Sequence, residues 1–167
     1  MKITGRHRPA TIKHSPGPPL TTTLGVVPAA SAIPLKETSM KNGLSANDFA
    51  VKFLAPWNAH DTQAVLAELP DDFEWQFTTG TDPRGSIYRG KAQVKAAVDR
   101  LFDAVPDIHY QIVGLHEGPS HLVMELLVTG NNRETGASLN FQACDIVLFD
   151  GDQLRGKRSY RKVVTQT

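Results

Sequence analysis

Downstream of Pro106 the chain offers four strand-length runs in succession: "IHYQIVGL", "HLVMELLVTG", "SLNFQACDIVLF" and "QLRGKRSYRKVV". The turns between them contain Gly, Asn or Pro at hairpin spacing, so the runs read as an antiparallel meander. A sheet of that kind needs a second layer against one face. The residues that could supply it lie just upstream. "SAND" (45–48) has the spacing of a capping box, and Phe49, Ala50, Phe53, Leu54 and Trp57 follow on one helical face. Pro56 is expected to kink or end this helix, because proline removes the bond to the residue four back. "NAHD" makes a corner, with Asp61 capping a short second helix that buries Val65, Leu66 and Leu69 and stops at Pro70. "DDFEWQF" alternates Phe73, Trp75 and Phe77 and reads as a strand, and "TTGTDPRGS" reads as a loop. A third helix is expected over about residues 90–105. There Val94, Ala97, Val98, Leu101, Phe102 and Val105 recur at three and four, while Lys91, Lys95, Asp99, Arg100 and Asp103 face away. Three helices enclosing one strand, then a meander, predict an α+β domain whose helices and curved sheet close over a conical cavity.

All twelve aromatic residues lie at Phe49 or later, and six of the eleven prolines lie before residue 40. This divides the chain into a proline-rich tail, 1–39, expected to be disordered, and a domain, 40–167. The tail has other readings. Ala30-Ser31-Ala32 has the small-residue pattern of a secretory cleavage site, the acid-poor leader could suit an organelle, and an overlong reading frame would make Met40 the true start. A cytoplasmic address is the default expectation. With 40% hydrophobic and 21% charged residues, the composition suits one soluble domain with one core. The net charge of +1 gives no basic field for nucleic acid, and no run approaches the roughly 20 apolar residues of a membrane span. Cys144 is the sole cysteine, so no intramolecular disulfide can form. His60, His109, His116 and His121 show neither the spacing of a helical metal pair nor a matching cysteine cluster. No metal and no cofactor are expected; the expected partner is a small apolar ligand.

One residue stands out. In "FQACDIVLFDGDQL", Asp145 shares a strand face with Phe141, Ala143, Val147 and Phe149. Burying an unpaired carboxylate costs several kcal/mol, so such a group is paired, held neutral, or exposed at a cavity. Two readings are open: an acid/base group at a cavity floor, or a structural anion paired with Lys157 or Arg161 on the next strand.

The element order, with "WNAHD" at the first helical corner, "LPDDFEWQF" entering the first strand, "YRGKAQVKAAVDRLFDAVPDIHY" over the third helix and "DIVLFDGDQL…RSY" in the last hairpin, resembles the SnoaL-like branch of the nuclear transport factor 2 (NTF2-like) superfamily, over about residues 45–164. The resemblance implies a cone, with three N-terminal helices packed on a strongly curved, mixed, mainly antiparallel sheet around a pocket. It also implies a cofactor-independent acid/base enzyme of cyclase, isomerase or lyase type, acting on an apolar carbonyl compound such as a polyketide-like intermediate. Noncatalytic binding or dimerisation modules, hydrolases and dehydratases share the scaffold. Against ketosteroid isomerases, Asp145 falls on the acid that donates to the substrate oxyanion. Phe53 and Phe77 stand where that family keeps its tyrosine and general-base aspartate. The implied site is therefore catalytic Asp145, with Trp57, Trp75, Phe53, Phe77, Tyr88, Tyr110, Met124, Lys157 and Arg161 around the substrate. In the family register Lys157, Ser159 and Arg161 face inward, and Arg158 and Tyr160 outward; an exposed basic edge strand is the alternative. Cys144, Ile146 and Leu148 then lie on the outer face, which predicts a homodimer.

Overall fold

A computed structural model describes residues 43–164. The tail and its boundary at Met40 lie outside the described residues. Helix α1 runs Ala46–Asn58, with the Ser45 side chain accepting from the Asp48 N–H as the capping box requires. It carries on through Pro56, and its stripe of Ala50, Phe53, Leu54 and Trp57 is buried. Helix α2, Thr62–Ala67, is capped by Asp61, whose carboxylate accepts from the Ala64 N–H. Strands β1, Glu74–Gln76, and β2, Ile87–Arg89, precede helix α3, Gly90–Ala104. Then come β3, His109–Gly118; β4, His121–Asn131; β5, Ser138–Asp150; and β6, Gln153–Arg161.

The six strands form one mixed sheet in the order β2-β1-β6-β5-β4-β3, curled but not closed. β1 pairs parallel with β6, and every other pairing is antiparallel. Strand β2 is a departure from the sequence expectation of a single strand among the helices. At three residues it is too short to show an alternation of its own. It exists because β1 turns back through residues 78–86, where the Phe77 N–H donates to the Ser86 carbonyl and the Ser86 N–H to the Thr79 carbonyl.

On β4, Leu122, Met124, Leu126 and Val128 alternate into the core, which Val147 of β5 joins from the neighbouring strand. The helices cover this face with Phe53, Trp57, Val94 and Val98. Among the described residues no helix is long and apolar enough to cross a membrane.

Candidate functional site

The "WNAHD" corner holds the start of β3 against α1. Asn58, the last residue of the helix, accepts from the Tyr110 N–H at 2.8 Å and donates to the Tyr110 carbonyl at 3.0 Å. Its amide thus stands in for a neighbouring strand. His60 adopts a left-handed backbone, φ 55°, which puts its Nε2 2.7 Å from the Ile108 carbonyl, to which it donates, and its ring 5.1 Å from Phe102. His60 therefore ties the corner to the residue just before β3. These bonds fix Tyr110 beneath Trp57, ring centroids 6.4 Å apart.

Around that point the sheet assembles a closed aromatic box. Trp57 and Trp75 meet edge to face at 5.3 Å, and Trp75 is ringed in turn by Phe77 at 5.2 Å and Tyr88 at 5.8 Å. The Lys157 ammonium sits over both indoles, 4.0 Å from Trp57 and 4.8 Å from Trp75. Its Nζ lies 3.0 Å from the Asp145 carboxylate, and the two residues are 3% and 4% exposed. The register explains the meeting. Asp145 stands opposite Ser159 on β6, and Lys157 is two residues along the same face, opposite Trp75 on β1. Ser159 accepts from the Trp75 indole N–H at 3.1 Å. Burial first, and the Asp145 charge second, push the Tyr110 phenol well above its ordinary range. Burial likewise raises Cys144 on the outer face, with Asp145 and Glu125 adding to it.

Of the two arrangements open to Asp145, the paired one is present, with Lys157 as partner. Lys157 and Ser159 face inward as the family register implies. Arg161 is exposed and stacks over Phe141 at 5.4 Å. The structure thus brings Asp145, Lys157, Trp57, Trp75, Phe77, Tyr88 and Tyr110 together. Met124 pairs with Asp145 in register and is 0% exposed, so it is packed core.

Open space lies elsewhere. A cavity of about 640 Å³ sits between the start of α1, the end of α2 and the turns of the β3–β4 and β5–β6 hairpins. Phe49, Phe53, Leu69, Phe149 and Leu154 supply its apolar lining, and Lys52, Glu68, Asp72, Glu117, Asp152 and Arg155 its charged one. Of the residues expected around a substrate, only Phe53 lines it. The others that line it were not proposed around a substrate from sequence, although Phe49, Leu69 and Phe149 were already placed on apolar faces. A second cavity, of about 300 Å³, is lined by residues such as Val113, Cys144, Tyr160 and Arg161. Asp145 lines neither cavity. Among the described residues no three His, Cys, Asp or Glu side chains converge as a metal site.

A curled mixed sheet crossed by three helices is the NTF2-like fold, an α+β cone. Within that class the chain belongs to the SnoaL-like domain family, which it matches over residues 50–156. The same fold occurs in a SnoaL-like protein of unknown function from Burkholderia thailandensis, at 22% identity over 71% of this chain and 95% of that one, TM-score 0.56. It occurs in a candidate polyketide cyclase from Acidithiobacillus ferrooxidans, at 22% identity over 70% and 87%, TM-score 0.57. An NTF2-like protein from Anabaena variabilis shares it at 16% identity over 71% and 87%, TM-score 0.59. No curated protein matches the chain.

Proposed function

We propose that this chain is a small-molecule-binding member of the SnoaL-like family, whose ligand lodges in the cavity of about 640 Å³, and in which Asp145 is a structural anion and not a proton shuttle. One observation carries the reading: the Asp145 carboxylate is spent on Lys157 at 3.0 Å inside a closed box, while space of ligand size lies outside that box. A general acid or base must come within hydrogen-bond reach of its substrate. An aspartate that is 4% exposed and paired does not offer that. Phe53 and Phe77 add support, since neither can transfer a proton.

A second reading, a cofactor-independent cyclase or isomerase centred on Asp145, draws on a different observation. Asp145, Lys157, Ser159 and Tyr110 form a polar group within aromatic walls, and opening of that box would present an acid, a cation and a phenol together. The readings part on Asp145→Asn and on a double replacement of the pair by Leu and Met. Under the binding reading, affinity for an apolar probe such as 2-naphthalenemethanol stays within about twofold in the folded double variant. Turnover of a polyketide-like carbonyl substrate by the native chain that is abolished in Asp145→Asn would sink it in favour of the enzyme.

We further propose a homodimer through the outer sheet face. Cys144, Ile146 and Leu148 lie half-buried there, and Val113 and Tyr160 are 49% and 54% exposed. Apolar surface on a sheet face is best covered by a second copy in two-fold symmetry.

A further inference from the structure

The charges around the large cavity are not balanced. Its lysine and arginine are already committed, Lys52 to Glu68 at 3.3 Å and Arg155 to Asp72 at 2.9 Å and to Asp150 at 3.2 Å, and His121 is the remaining basic side chain of the lining. Glu117 and Asp152, also at the cavity, have no ion-pair partner among the described residues. The imbalance extends to the whole domain. Of 18 basic and 17 acidic residues, the tail 1–39 holds five basic (Lys2, Arg6, Arg8, Lys13 and Lys36) and one acidic (Glu37), leaving thirteen basic against sixteen acidic in 40–167.

The apolar side of the same cavity carries three aromatic rings beside Leu69 and Leu154. Phe49 stacks on Phe53 at 5.6 Å and meets Phe149 edge to face at 5.2 Å. Trp57, Trp75, Tyr88 and Phe141 each have a protein cation over the ring. Among the described residues none lies over Phe49, Phe53 or Phe149. Aromatic faces attract cations, and the attraction grows once water is excluded. A carboxylate ligand would meet two uncommitted carboxylates, and a neutral one would leave their field unused.

From this we infer that the large cavity takes an apolar ligand carrying a positive charge, of the aryl-alkyl ammonium class, with the cation between the phenylalanine rings and the Glu117/Asp152 rim. The inference rests on the reading of this cavity as the ligand site.

Calorimetric titration of the full chain at pH 7 tests it with three probes of one shape: (2-naphthylmethyl)trimethylammonium, 2-naphthalenemethanol and 2-naphthoate. The cationic probe is expected to bind about tenfold more tightly than the neutral one and to weaken with added sodium chloride. E117Q/D152N should remove that preference by weakening the cationic probe, and Leu154→Trp, which fills the cavity, should abolish binding of both. Neutral or anionic binding as tight as cationic, still lost in Leu154→Trp, overturns the charge inference alone. A cationic preference that survives E117Q/D152N overturns the assignment to this rim. Binding of none of the three, or binding untouched by Leu154→Trp, overturns the cavity reading and this inference with it.

Discussion

Asp145 sits across from Ser159, with Lys157 and Arg161 equidistant along β6, so the strand pairing alone does not choose its partner. The surroundings choose. Lys157 lies at the end closed by Trp57 and Trp75, where an ammonium has two ring faces and a carboxylate, whereas Arg161 lies at the exposed end over Phe141. That is why the sequence exposed the anomaly and narrowed its partner to two residues but could not select one. Trp57 arrives from a helix 100 residues upstream, and no local pattern reports it. Removing one member of a buried pair leaves an uncompensated charge, so Lys157→Met should lose about 3–5 kcal/mol in urea unfolding. The double replacement Asp145→Leu with Lys157→Met should recover most of that loss. Tyr110 supplies a second prediction. Its folded pKa lies above the unfolded value of 10.0, so its contribution is complete below pH 10 and declines as pH rises beyond it. Stability should fall there by about 1.4 kcal/mol per pH unit, and Tyr110→Phe should remove that share of the slope.

At the scale of elements, periodicity made the three helices and the meander legible, because long amphipathic runs carry their own signal. Shorter pieces do not. β2 is three residues, defined by its pairing with β1 through Glu74↔Arg89 and Gln76↔Ile87 and by the loop that returns the chain. Gly85 makes that return possible: at φ +79° it avoids strain, and a Cβ there would collide with the Phe77 carbonyl. Gly85→Ala should therefore cost about 1–3 kcal/mol and loosen Phe77 and Tyr88, visible in their side-chain NMR resonances. The Asn58 clasp on β3 is likewise long-range. Asn58→Ala leaves the Tyr110 N–H and carbonyl without these partners and should cost about 1–3 kcal/mol, with faster hydrogen exchange at the start of β3.

For the whole molecule, the order of elements implied helices layered on a curved sheet, and the family resemblance carried by its four motifs supplied the cone. The location of open space was not legible. The inward residues of the sheet interior pack onto one another, and the large cavity forms where two hairpin turns meet the ends of α1 and α2. Turns reveal little of their neighbours through sequence pattern. The outer face leads to a separate expectation: sedimentation at micromolar concentration should give a dimer, and Ile146→Lys should give a folded monomer. The proposed arrangement has ligand at the hairpin-end cavity and the Asp145–Lys157 pair as scaffold. It is tested most directly by the dissociation constant of (2-naphthylmethyl)trimethylammonium, measured on the native chain, on Leu154→Trp and on the Asp145→Leu/Lys157→Met double variant. Binding should be lost in Leu154→Trp and stay within about twofold of native affinity in the double variant. Native affinity in Leu154→Trp together with lost binding in the folded double variant would contradict that arrangement.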